Sequence, residues 1–127
     1  MKILLDTHAL LWWLADDARV GQKARKLIEN RDNSVIVSHI SLWEIAIKIG
    51  IGKLRVDIDE ALTAIRERGL DELALRPPHL TTLAALKRHH RDPFDHMLIA
   101  QAIVEGATLM SADRRMADYP LAVVGCE

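Results

Sequence analysis

Cysteine is almost missing from this chain: of 127 residues, only Cys126 carries a thiol. One cysteine allows no internal disulfide framework and no Cys-based zinc site, which points to a reducing compartment such as the cytoplasm. A dominant charge is missing too, since 17 Lys and Arg face 18 Asp and Glu. That balance excludes the overall basic field behind unselective nucleic-acid binding, so a nucleic-acid partner must be drawn by a local patch or by a metal. No segment approaches the roughly 18 consecutive apolar residues of a membrane span. The stretch MKILLDTHALLWWLADD interrupts its apolar run at Asp6 and is followed by no signal-type cleavage site, so it reads as a strand and helix, not as a signal peptide. The six histidines contain no H-E-x-x-H pattern. Internal repeats, low-complexity stretches and linkers are also absent.

What the chain does have is apolar material, 50% of its residues. At this length that suits one compact domain, residues 1–127, able to bury roughly two-thirds of its unfolded surface. Lys2 to Leu5 is a short apolar run suited to a strand buried on both faces, with Thr7 placed to cap the helix that follows. Arg19 to Asn30 reads as a more solvated helix and Ser34 to Val37 as a strand. Leu42, Ile45, Ala46 and Ile49 make a complete helical stripe, stopped by Gly50 and Gly52. A helix over Asp59 to Arg68 and a strand over Leu73 to Leu75 follow, then Pro77 and Pro78 break the chain before a helix from about Leu80 to His89. Pro93 to Glu105 is a helix ended by Gly106, and Thr108 to Met110 and Ala122 to Val124 are the last strands. Strands alternating with helices predict an α/β domain with a central, mostly parallel sheet and helices on both faces.

Four carboxylates stand where their apolar surroundings have no use for charge: Asp6, Glu44, Asp95 and Asp113. Asp6 and Asp113 follow strand candidates, and open α/β sheets bind ligands outside the carboxyl ends of their strands. Helix or turn capping explains either one alone equally well. Glu44 completes Ser41-Leu42-Trp43-Glu44, the S-x-x-E form of a capping box, yet heads a helix apolar nearly all round, where a carboxylate needs a partner. Lys48, four residues on, can supply one. Asp92-Pro93-Phe94-Asp95 puts Asp92 at an N-cap and Asp95 in the first turn. Leu98, Ile99 and Ala102 share the face of Asp95, which should therefore point inward. Asp92 is explained by capping.

Four carboxylates in one cleft cannot all stay ionised without a cation between them. All-oxygen ligands favour Mg²⁺ or Mn²⁺ over zinc. His89 and His90, adjacent and therefore divergent on a helix, read as surface or substrate-side groups, and His8 as structural. Trp12, Trp13 and Trp43 are most simply core or interface aromatics, with base stacking as the lesser reading. Arg114 and Arg115, next to Asp113, are candidate substrate-binding cations, while Lys87, Arg88 and Arg91 suit a solvated surface. Apolar side chains near Trp12 and Trp13, or between Ile51 and Ile65, are candidates for a partner interface.

The segments LLDTHALLWW, SHISLWEIA, DPFDHMLIAQA and LMSAD, in this order and spacing, resemble the PIN-domain ribonucleases, and among them the VapC-type toxins of bacterial toxin–antitoxin pairs. The resemblance spans essentially the whole chain. It implies a parallel sheet, an acidic pocket holding Mg²⁺ or Mn²⁺, and hydrolysis of RNA. By motif, Asp6, Glu44, Asp95 and Asp113 become the catalytic acids, with Asp6, Asp95 and Asp113 as metal ligands, and Glu44 or Asp113 completing the coordination or orienting the attacking water. It further implies a small antitoxin partner and a homodimer or toxin–antitoxin hetero-oligomer, with no membrane role. The competing reading is a non-catalytic, metal-binding signalling domain of the receiver type. Such domains pair two acids near the first strand end and need a lysine after the last strand, and neither feature is present.

Overall fold

A computed structural model describes residues 1–127. Lys2–Leu5 (β1) forms because an apolar run with no polar alternation is stable only where both faces are covered. Ile3 and Leu5 enter one core cluster and Leu4 the other, on opposite faces of the sheet. The other strands are Ser34–Ser38 (β2), Asp71–Leu73 (β3), Thr108–Met110 (β4) and Val123–Val124 (β5). They lie in the order β3-β2-β1-β4-β5, and every pairing is parallel.

Parallel neighbours require crossovers, and helices supply the main ones. Thr7–Leu14 (α1) and Gln22–Glu29 (α2) join β1 to β2, His39–Gly50 (α3) and Ile58–Glu67 (α4) join β2 to β3, and Pro77–Ala85 (α5) and Pro93–Glu105 (α6) join β3 to β4. Trp13, Ala24, Ile45 and Ile65 pack on one sheet face; Ile40, Leu98, Ile99 and Met116 pack on the other. The chain moves outward from β1 through β2 to β3, then returns to β4 on the other side of β1. The crevice at the carboxyl ends of β1 and β4 is therefore the switch point where open α/β sheets accept ligands.

Several boundaries differ from the expectations. Asp6, not Thr7, caps α1, accepting from the Ala9 amide at 2.8 Å. β2 runs directly into α3, whose cap is Ser38; Ser41 and Glu44 thus lie inside the helix and form no capping box. α5 begins at Pro77 and Pro78, because first-turn amides have no carbonyl within the helix to donate to and proline is tolerated there, and it stops at Ala85. α2 is shorter than expected, and β3 starts two residues early because its register follows Ile36↔Asp71 and Ser38↔Leu73. α4 starts one residue early on the Asp57 cap, β5 is only two residues long, and a 3-10 turn, Arg114–Asp118, was not expected. α6 and its left-handed Gly106 stop fall as expected.

Candidate active site

The four acids arrive from four separate segments. Asp6 leaves the end of β1, Glu44 projects from the second turn of α3, Asp95 sits in the first turn of α6, and Asp113 caps the 3-10 turn after β4. All four, together with Asp92, line one pocket of about 120 Å³ that also holds Thr7, His8, Trp12 and Arg115. The pocket opens at the β1–β4 crevice. Asp92 caps α6, accepting from the Phe94 and Asp95 amides at 2.9 and 3.2 Å, so capping holds while its charge also faces the cluster.

Burial and mutual repulsion shape the charges. Asp6 and Glu44 are each only 4% exposed. The Asp6 carboxyl is held above its ordinary range, chiefly by burial, against hydrogen bonds from Ser111 and Ala9. Asp95 is pushed up to about 8 by burial first, then by the charges of Asp92, Asp6, Glu44 and Asp113. Asp113 moves the other way: the Arg115 guanidinium grips its carboxylate at 2.7 Å and holds it below the usual range. Glu44 is caught between the Thr7 hydroxyl, which donates to Oε1 at 2.7 Å, and Lys48 Nζ, 2.7 Å from Oε2. The pairing of Lys48 with Glu44 falls where the helical spacing placed it.

Asp95 has a support that the sequence did not reveal. Tyr119 hydroxyl accepts from the His89 amide at 2.8 Å and lies 2.7 Å from Nδ1 of His90. With its own proton donated to Nδ1, Nε2–H of His90 remains to donate to Asp95 Oδ2, 3.1 Å away. His96 Nε2 donates to the His90 carbonyl at 2.7 Å and fixes the same loop. His90 is thus a buried orienting group and not a surface histidine, with 2% of its side chain exposed.

The remaining expectations divide. Arg115 is tied to Asp113 inside the pocket, whereas Arg114 lines a neighbouring, larger cavity. Trp13 is buried while Trp12 is half-buried, and Trp43 and Ile47 of α3 are exposed together with Ile51, its C-cap, which opens the Ile51 to Ile65 segment. His8 is exposed at the pocket mouth, its ring stacked on Trp12.

A model of the PIN domain family matches residues 3–121. The chain belongs to the PIN domain family. A similar curated protein is ribonuclease VapC22 of Mycobacterium tuberculosis, 29% identical over 120 residues, which are 92% of this chain and 91% of that one. Similar solved structures include VapBC2 of Rickettsia felis bound to a promoter DNA fragment (TM-score 0.74, 18% identity, 98% of each chain). The DNA-bound VapBC of Salmonella typhimurium gives a TM-score of 0.75 at 16% identity, over 100% of this chain and 99% of that one. FitAcB of Neisseria gonorrhoeae gives 0.68 at 20% identity, over 98% and 97%. At these identities the structures establish the fold.

The donor chemistry of this PIN domain suits a hard divalent cation: the oxygens are carboxylate, and burial together with neighbouring negative charge raises the pKa of both Asp6 and Asp95. The side-chain rotamers do not themselves gather three ligands around one point. The reason is visible in the partners, since Glu44 leans to Lys48, Asp95 to His90 and Asp113 to Arg115.

Proposed function

We propose that this PIN domain is a divalent-cation-dependent endoribonuclease of the VapC type, the toxin of a toxin–antitoxin pair acting in the cytoplasm. The observation that carries the reading is the arrival of Asp6, Glu44, Asp95 and Asp113 at one pocket on the sheet's switch point. The similarity to ribonuclease VapC22 supports the activity, and the similarity to VapBC complexes supports an antitoxin partner. No helix is long and apolar enough to cross a membrane. The exposed Trp43, Ile47 and Ile51 stripe suits a homodimer or hetero-oligomer contact.

Asp6 and Asp95 would hold Mg²⁺ or Mn²⁺, with Asp113 as third ligand. Such an ion lowers the pKa of a bound water and offsets charge on the leaving oxygen of a phosphodiester. The chain's own residues do the rest. Glu44, fixed by Thr7 and Lys48, orients the attacking water and accepts its proton. His90 and Tyr119 hold Asp95 in place. Arg115, released from Asp113 when that carboxylate turns inward, donates to a non-bridging phosphate oxygen; Arg114 binds the backbone beside it. Partner-free protein with Mg²⁺ or Mn²⁺ is expected to cleave single-stranded RNA, and Asp6→Asn or Asp95→Asn to abolish the cleavage. Undiminished cleavage by both variants overturns the assignment.

A further inference from the structure

The acidic pocket repels the phosphate it is proposed to cut, so the substrate needs an attractive path to it. Next to the pocket lies a cavity of about 1080 Å³, which shares Trp12, Ala112 and Asp113 with it. Lys23 and Lys26 of α2 and Arg114 of the 3-10 turn line this cavity, and none of the three is held in an ion pair. Its acids are Asp113, already gripped by Arg115, and Glu127, which brings a side-chain and a terminal carboxylate against the three free cations. A local cationic excess therefore stands beside the acids on a chain whose net charge is −1.

At the boundary between the two cavities is an aromatic stack. The Arg19 guanidinium sits 4.7 Å from the Trp12 ring centre, held there by Asp17 at 2.7 Å. The His8 ring lies 5.8 Å from Trp12 at an interplanar angle of 29°. His8 is exposed and Trp12 half-buried, so the stack offers a free planar end at the mouth of the acidic pocket. A flat π surface joined to a row of free cations is how proteins hold unpaired nucleotides: the base stacks and the phosphates follow the charges. Bases within a duplex are stacked on one another and present no such face.

We infer that the α2 groove is the track of single-stranded RNA, with Lys23, Lys26 and Arg114 on its phosphates and an unpaired base stacked on the exposed His8 ring, itself backed by Trp12, beside the scissile bond. The choice of ligand rests on the ribonuclease reading. The groove itself rests on the free cations and the stack.

The test is anisotropy of a short fluorescent single-stranded RNA titrated with the full chain in chelator, where nothing is cleaved. Three comparison probes are used: the same sequence as duplex, the same strand with abasic sites, and a polyglutamate peptide. Lys23→Ala with Lys26→Ala, both on a solvated helix, is expected to weaken binding and to make the plot of log K against log salt shallower by about 1.4, at about 0.7 per phosphate contact. Trp12→Leu is expected to lose about tenfold in affinity for the intact strand and nothing for the abasic one, with Trp12→Phe restoring most of the loss. An unchanged salt slope in the double-lysine variant overturns the track. So does equal binding of the duplex, or preferential binding of polyglutamate, which assigns the groove to an acidic peptide. Binding without any later cleavage refutes the nuclease reading and keeps the track; cleavage with an unchanged salt slope does the reverse.

Discussion

Replacing Asp95 with asparagine should make the cation-free protein more stable at neutral pH while destroying its activity. An acid whose ordinary value is 3.8 is here pushed up to about 8, so the folded chain binds this proton more tightly than the unfolded chain does. Stability from this group is therefore fully present below about pH 4 and is lost progressively as pH rises to about 8. At pH 7, about three pH units above the unfolded value, the loss reaches about 4 kcal/mol at about 1.4 kcal/mol per pH unit. The carboxylate is 15% exposed, and water reaching it reduces the expected gain in Asp95→Asn to about 2 to 3 kcal/mol. The amide keeps an oxygen for His90 Nε2–H, so the orienting bond survives the substitution. Thermal or urea unfolding in chelator checks this, and a midpoint raised by roughly 6 to 10 °C at pH 7 is expected for a chain of this size. At pH 4.5 the two proteins should nearly coincide. A variant no more stable than the parent at pH 7, or one whose advantage persists unchanged at pH 4.5, refutes the electrostatic account of the pocket.

Three further perturbations follow from the same contacts. Tyr119→Phe leaves the His89 amide and Nδ1 of His90 without their partner, costing about 1 to 3 kcal/mol of stability and slowing RNA cleavage through a loosened Asp95; an unchanged turnover number contradicts the orienting role. Arg115→Ala removes the competitor for Asp113, whose carboxyl should titrate closer to its ordinary range, and calorimetry should show Mn²⁺ bound more tightly; weaker binding would mean that Arg115 shapes the site instead of competing for it. In Gly21→Ala the new Cβ would fall 2.6 Å from the backbone carbon of Glu127. The carboxyl-terminal strand end, bonded to α2 through Gly21 N and Ala24 N, must then shift, with a loss of about 1 to 3 kcal/mol readable in chemical unfolding.

Features with local signals were legible in the sequence. β1 and β4 are apolar runs of strand length, and α6 carries its whole boundary chemistry in order, with Asp92 as cap, Pro93 at the first position and Gly106 at the stop. The alternation of elements was enough for the parallel sheet, and motif order was enough to pick out the four acids that share the pocket. What stayed hidden depends on contacts across the chain. Ser38 takes over the cap of α3 because β2 ends where the helix begins, a fact of strand pairing that a S-x-x-E pattern cannot carry. Tyr119 meets His90 across 29 residues, and periodicity says nothing about such a meeting. Trp12 and Trp13 are neighbours in the chain, yet one lines the pocket mouth and the other is buried; only the packing of α1 on the sheet separates them.

The proposed chemistry needs a divalent ion lodged among carboxylates drawn from β1, α3, α6 and the turn after β4. Anomalous scattering from a crystal soaked in Mn²⁺ measures this directly. A peak is expected about 2 Å from oxygens of Asp6 and Asp95, with Asp113 turned away from Arg115 toward it. A soaked crystal with no peak in the pocket, or with manganese bound elsewhere and Asp113 still gripped by Arg115, contradicts that chemistry.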